Sequence, residues 1–502
     1  LPAWRVEILK FYRMIIFNPQ TCKLPLQKNL AIVNLSVYTK EFGANIRLAY
    51  PVILGMLGHT LISVVDNIMV GRLGATELAA VSLGNSLVFI AMSAGIGFST
   101  AITSIVAQGD ATNDTATVRS VFHNGLLLCS IMGLFLFGLV YVAKPIMYLM
   151  HQPDSVIQLA SPFVDWVAFS MFPAIMFQGY KQFADGMSLT KYAMRAVIAS
   201  NVIHIFINYM LIYGIWIFPQ MGMMGAALGT VISRIFMVVY MHFALSRNEK
   251  LKQYFTGFTF GEIKTTVLKK ISRLGFPSSM QMLFEVALFT SAVWISGSLG
   301  KTHQAANQIA LSLSSLTFMF GMGLSVAAMV RVGNQKGLKD YKNLQIVARS
   351  IFLLTLILEI VFALMFIVLH KYLPHLFLNM ENTIQLHDNA EVIAIAAPLL
   401  IIAAVFQISD GLQVVVLGSL RGIQDVKVPA IITFIAYWLL GFPLSFYLGI
   451  YTELKATGIW IGLLAGLTVA ALFLYLRFNY LTDKMINSAG REQLQPDGLA
   501  VE

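Results

Sequence analysis

The sequence predicts an all-α polytopic membrane protein of twelve spans, built as two parallel repeats of six. Three observations carry that prediction: an apolar composition, recurring runs of membrane-crossing length, and self-similarity at a nearly fixed offset. Across 502 residues the apolar fraction is 57% and the charged fraction 12%, against about 45–50% and about 25% in ordinary soluble domains. Mean hydropathy is +0.74. The 34 Lys and Arg with 24 Asp and Glu cannot coat a globule of this size. Two cysteines, Cys22 and Cys129, exclude a disulfide scaffold. The net charge of +10 would signal nucleic-acid binding only if gathered on a water-facing patch.

Apolar stretches centred on 46–70, 77–107, 120–149, 157–186, 194–214, 223–246, 271–298, 304–333, 345–369, 390–418, 428–449 and 456–478 can each cross about 30 Å of hydrocarbon. None shows the short polar–apolar alternation of barrel strands. Basic residues set the orientation. With both termini cytoplasmic, about 27 Lys and Arg fall inside, and about five, Arg72, Lys144, Lys301, Lys371 and Lys455, fall outside. Lys181 and Arg234 fall within spans. This skew is the positive-inside rule, and an odd number of spans would scramble it. It predicts a multi-pass plasma-membrane protein (inner membrane in a bacterium) and explains the basicity without nucleic acid as a partner.

Residues 1–41 read as a cytoplasmic N-terminal extension, because Met14-Ile15-Ile16-Phe17 is too short for a signal-peptide core. The halves are then 42–246 and 271–480. A Lys-rich cytoplasmic linker, 247–270, joins them, and 481–502 forms a cytoplasmic tail. Sliding the sequence by 226 residues aligns Pro51 with Pro277, Gly71 with Gly297, Gly74 with Gly300, Gly97 with Gly323 and Ser99 with Ser325. An offset of 236 aligns Pro162 with Pro398, Gly186 with Gly422 and Lys191 with Lys427. Two six-span copies share one topology, an arrangement of transporters that place substrate between the halves. Pro51 and Pro277 each remove a backbone bond from the first helix of a half, which makes a kink or a bending point.

An acidic side chain near a span centre costs about 2.5–3.5 kcal/mol on insertion scales, and those kept there usually face a wet cavity. Asp66, Asp165, Asp185, Glu285, Glu359 and Asp410 are the candidates. Glu285 and Asp410 lie deep in the second half, where paired carboxylates suit a site that loads and releases a proton or a desolvated cation. Asp66 has Asn208 and His204 as candidate partners; these two, four apart, share one helix face. Asp165, Asp185, Lys181 and Arg234 read as interfacial, snorkelling or paired residues, and the sequence names no partner for Glu359. Met282, Phe284 and Phe406 are candidates for a substrate cavity, with plain helix packing as the competing reading. No P-loop, H-E-x-x-H, C-x-x-C or G-x-S-x-G occurs. The chain therefore reads as no enzyme, needs no cofactor, and must draw energy from an ion gradient worth ~2.3 kcal/mol per charge per 100 mV.

The run Gln407-Ile408-Ser409-Asp410-Gly411-Leu412-Gln413 with Leu420-Arg421-Gly422 and Asp425 resembles the multidrug and toxic compound extrusion (MATE) family, NorM-like branch. So do Asp66-Asn67-Ile68-Met69-Val70-Gly71, Asn208 to Gly214, Pro219 to Gly225, Gly275-Phe276-Pro277 with Glu285, and Gln304 to Gln308. The resemblance spans 42–480. It implies a V-shaped bundle of two six-helix lobes, exporting organic cations and other amphiphiles in exchange for H⁺ or Na⁺ and working as a monomer. It implies cation sites at Glu285 with Asp410 and at Asp66 with Asn208, the only positions where a metal ion, Na⁺, is expected. Phe406 stands where the family has tyrosine and His204 where it has asparagine, and both changes lean towards H⁺. The alternative is a lipid-linked oligosaccharide flippase on a related fold, which would line its cavity with basic residues.

Overall fold

The computed structural model describes residues 35–149, 153–255, 262–378 and 386–494. The expectations for 1–34, for the middle of the 247–270 linker and for 495–502 lie outside the described residues. Among the described residues, twelve helices are long and apolar enough to cross a membrane. The first half holds α1 (Phe42–Gly71), α2 (Ala75–Ala111), α3 (Thr115–Ala143), α4 (Asp154–Phe169 and Met171–Gly186), α5 (Lys191–Tyr213) and α6 (Met223–Ser246). The second holds α7 (Thr265–Ser298), α8 (Lys301–Gly337), α9 (Tyr341–Leu369), α10 (Leu386–Gly422), α11 (Lys427–Ile450) and α12 (Lys455–Leu494).

Two spans that read as continuous are interrupted, each near a proline. Pro173 has no N–H to give the Phe169 carbonyl, and α4 breaks at Ser170. Pro443 likewise cannot donate to Leu439; the preceding turns, Ile435–Gly441, widen so that Phe442 donates to the Tyr437 carbonyl. The α12 helix continues past residue 480 to Leu494.

The repeat extends into backbone detail. Asp114 caps α3 by accepting from the Thr117 amide at 3.0 Å, and Asp340, 226 positions on, caps α9 through the Asn343 amide at 3.1 Å. Hydrogen bonds from Thr117 hold the Asp114 carboxyl below the usual range. The residues before these caps, Asn113 and Lys339, share positive φ values of 54° and 58°. At the second offset, Ser188 and Gln424 have φ of 60° and 62°.

Each half has its own packed interior. Phe98, Ile102, Phe122, Phe163, Phe177 and Phe183 fill the first. In the second, Phe406, Tyr437 and Trp460 form one cluster and Ile351, Val415 and Phe478 another. Lipid supplies no hydrophobic drive between helices, so close backbone approach must hold them. Between the halves, α7 packs on α2 and α8 on both α1 and α2. Phe98 and Phe276 meet edge to face at 5.5 Å. A Cβ on Gly333 would touch the Ala107 Cβ at 3.1 Å; these residues are 226 apart, so this contact marks the pseudo-two-fold axis. Nearby, Gln108 Nε2 donates to the Gly422 carbonyl at 2.9 Å.

The halves are also tied where α1 begins. Arg331 of α8 pairs with Glu41 at 2.5 Å and donates to Asn45 Oδ1. Asn45 Nδ2 donates to Ser350 Oγ of α9 at 3.1 Å, and that hydroxyl donates to the Tyr38 carbonyl at 2.7 Å. The end of the linker docks on α3, with Arg119 pairing with Glu262 at 2.8 Å. Towards the opposite end, α2 exposes Ser82, Asn85 and Ser86, and α8 exposes Gln304, Gln308 and Ser315. Polar side chains exposed ~5–20 Å inside a span are costly against lipid and belong on a wet surface. Ser82 and Gln308 correspond at the 226 offset. A cleft between the halves thus widens away from the Arg331–Glu41 tie.

Candidate functional site

Two polar clusters lie inside the halves. In the first, Asp66 sits five residues before the end of α1. Asn208 of α5 donates through Nδ2 to Asp66 Oδ1 at 2.8 Å. His204 Nε2 lies 3.2 Å from the same oxygen, within ion-pair range but outside hydrogen-bond alignment. The expected trio is therefore brought together. Ser233 of α6 holds the other ring nitrogen of His204 at 3.2 Å. Asn208 Oδ1 is buried without a hydrogen-bond partner among the described residues and lies against Gly229, where a Cβ would stand 1.7 Å away. Ser233 and Gly229 carry no sequence signal of their own; only the α5–α6 contact reveals them.

Arg234 adds a cation to this half, donating to Ser170 Oγ at 2.6 Å at the break in α4. It lies within electrostatic range of Asp66. Lys181 pairs with Asp185 at 2.9 Å, and Lys144 with Asp165 at 2.7 Å. These pairings engage Asp165, Asp185 and Lys181, three of the charges that lie within spans of the first half.

The second half is different. Glu285 of α7 is half-buried, and Asp410 of α10 is 5% exposed. They interact electrostatically with one another and with Tyr437 in the widened turn of α11. Gln281, one turn before Glu285, reaches it at 3.5 Å through Nε2, while its Oε1 accepts from Arg421. Sequence reasoning placed Arg421 with the loop cations, because it ends a span. Instead it is buried, 7% exposed, and reaches back into the bundle. Gln281 stands between the arginine and Glu285, so the carboxylate has no direct ion pair among the described residues. Glu359 of α9 joins the cluster through Asp410, with which it interacts electrostatically.

Much of this cluster is unsatisfied. Asp410 Oδ1, both Glu359 oxygens, the amide ends of Gln407 and Gln413, Arg421 Nε and the Tyr437 hydroxyl are buried without a hydrogen-bond partner among the described residues. Buried polar groups normally have partners, and each lone one costs about 1–3 kcal/mol. Several together point to a place where water or an ion belongs.

The cavity candidates divide. Phe284 packs on Phe434 with ring centres 5.0 Å apart. Met282 lies at the crossing of the halves, where a Cβ on Gly97 would come within 3.1 Å of its Cβ. Phe406 is 1% exposed and packs edge to face on Phe289 and Trp460. Its ring therefore lies in the core of the second half instead of on a cavity wall.

Comparison with known proteins places this architecture. The MatE family model matches the chain in two stretches, 51–210 and 277–447, which begin at Pro51 and Pro277 and together exceed half its length. The chain belongs to the MatE family. Members are transporters, not enzymes, and this one crosses the membrane in twelve spans. A multidrug resistance protein NorM from Vibrio cholerae is 32% identical over 449 residues, covering 88% of this chain and 96% of its own. A probable multidrug resistance protein NorM from Agrobacterium fabrum is 31% identical over 449 residues, covering 89% and 96%. In fold, the chain superposes on the crystal structure of a eukaryotic MATE transporter with a TM-score of 0.80 at 20% identity, covering 91% of this MatE chain and 100% of the other.

Proposed function

We propose that this MatE-family protein exports amphiphilic organic cations from the cell in exchange for protons, by alternating access. The supporting observation is the second-half cluster, where Glu285 and Asp410 interact and the nearest arginine, Arg421, is already engaged by Gln281. An unpaired buried carboxylate costs several kcal/mol, and a proton or an organic cation relieves that cost. The two therefore compete for the same groups. The relatives named as multidrug resistance proteins fit this reading, and so does an acidic interior ill suited to a lipid pyrophosphate.

The skew of Lys and Arg supports a plasma-membrane protein with both termini in the cytoplasm. The Arg331–Glu41 tie is then cytoplasmic and the cleft opens outward. A proton arriving from outside is shared by Glu285 and Asp410 and displaces the substrate. Loading must favour one arrangement of the halves, since equal affinity for both shifts nothing. Each cluster is completed by residues of one chain, so a monomer suffices. A proton is favoured over Na⁺ because Phe406 contributes no hydroxyl and Gln281 has its oxygen turned to Arg421.

The test is uptake of a fluorescent organic cation into proteoliposomes under an imposed pH or Na⁺ gradient. A pH gradient should drive it, and Glu285→Gln and Asp410→Asn should each abolish it. Transport driven by Na⁺ alone would replace the proton; wild-type rates in both variants would remove these carboxylates from the mechanism.

A further inference from the structure

Glu359 has no role in the exchange described so far, yet its placement is costly. It lies about 6 Å from the midpoint of α9 and is 1% exposed. Neither carboxyl oxygen has a hydrogen-bond partner among the described residues. The side chain is pressed against α10 and α8: a Cβ on Gly411 would lie 2.5 Å from Oε1, and one on Gly321 3.6 Å from it. Gly411 directly follows Asp410, so α10 presents an acid and a side-chain gap at adjacent positions.

The charged groups around it are few. Asp410 of α10 lies within electrostatic range of it, and Glu285 of α7 within range of Asp410. Arg421 is three turns further along α10 and is held by Gln281. The basic residues of α8, Lys301, Arg331 and Lys336, and Arg477 of α12 lie far from the level of Gly321 and Glu359, Arg477 pairing with Asp425 at 2.9 Å. Among the described residues no cation pairs with Glu359. Nor does the cluster supply a metal shell, since among the described residues no three His, Cys, Asp or Glu side chains converge on one point. A metal cation needs several oxygens at once, whereas a proton needs only the carboxyl itself.

We propose that Glu359 and Asp410 form a second proton-binding position behind the one shared by Glu285 and Asp410, so that export of one organic cation draws on two protons. This rests on proton-coupled export, and the two can fail separately. The second position is sealed from the cleft by the α8–α10 contact at Gly321 and Gly411, so Asp410 is its route of exchange. Two protons for one cation move net charge, so with the membrane potential clamped at zero a pH gradient of one unit supports an accumulation ratio of about 100, against about 10 for one proton, each factor of ten being about 1.4 kcal/mol.

The experiment counts protons released into weakly buffered solution when a fluorescent organic cation binds the detergent-purified full chain. Wild type should release two per cation, and Glu359→Gln one, with dye binding retained. The limiting accumulation ratio in proteoliposomes should fall about tenfold per pH unit in the same variant. A wild-type count of one overturns the second position and leaves proton coupling intact, whereas a count of zero removes both. A count of two in Glu359→Gln also overturns it. Should that variant not fold, Gly411→Ala tests the same contact: its methyl group displaces the Glu359 carboxyl, and the second release should move in pH while the first stays. Two unmoved releases would overturn the proposal.

Discussion

Gly97 of α2 and Gly323 of α8 make the same contact on opposite sides of the interface, each taking the first helix of the other half against its own backbone. A Cβ at Gly97 would come within 2.7 Å of the Ser278 carbonyl oxygen; one at Gly323 would meet Ile53 Cγ1 at 2.4 Å and the Ala49 carbonyl oxygen at 3.1 Å. The obstacle at Gly97 is backbone, while the nearest atom at Gly323 belongs to a side chain with rotamer freedom. Gly97→Ala should therefore be the more damaging, destabilising by ~1–3 kcal/mol as overpacked sites do, with Gly323→Ala at the low end. Thermal unfolding in detergent ranks the two, and an equal effect would mean that α7 yields as easily as Ile53.

In the alternating access proposed above, the Arg331 tie would favour the arrangement of the halves described here. The Arg331 guanidinium is 17% exposed and bridges Glu41 and Asn45 across the interface. Removing it should weaken the closed end by ~1–2 kcal/mol, a factor of about 5–30 in population. In Arg331→Ala, a cysteine placed at Gln308 in the cleft should react several-fold more slowly with an aqueous thiol reagent. Cys22 and Cys129 are replaced beforehand. Unchanged labelling would show that the glycine contacts alone set the balance.

The large design was readable because its physics is local. Span length follows from bilayer thickness, and the offset of 226 survives down to the caps Asp114 and Asp340. Helical spacing puts Asn208 and His204 on one face, and both meet their candidate partner Asp66. What could not be read needs the register between helices. Glu359 has no sequence neighbour that announces Gly411, and Arg421 looked like a loop cation because nothing in its own helix says that it reaches Gln281. Phe406 follows the same rule: its ring direction depends on where Trp460 of α12 falls.

Gly229 is a positioning residue for the first-half cluster. Its missing side chain leaves room for Asn208 Oδ1, and a methyl there would stand 1.7 Å from that oxygen. Gly229→Ala should turn the Asn208 amide away from Asp66 and mimic Asn208→Ala. Residues acting through one contact are non-additive, so the double variant should transport no worse than either single. Losses that multiply would separate Gly229 from the Asp66 site.

Gln281 decides how strongly Glu285 is engaged, because it holds Arg421 at one end and approaches Glu285 at the other. With Gln281→Ala, the arginine loses its acceptor, and Glu285 is the acidic group within its electrostatic range. A direct Arg421–Glu285 pair would then neutralise the carboxylate that an organic cation must find. Affinity for a cationic dye should fall about tenfold, roughly the 1.4 kcal/mol of one charge-assisted hydrogen bond. Gln281→Glu should act in the opposite direction: a carboxylate there binds Arg421 itself, leaving Glu285 free, and affinity should hold or rise. Fluorescence titration of purified protein measures both. If the two substitutions weaken binding equally, Gln281 touches the dye instead of restraining the arginine.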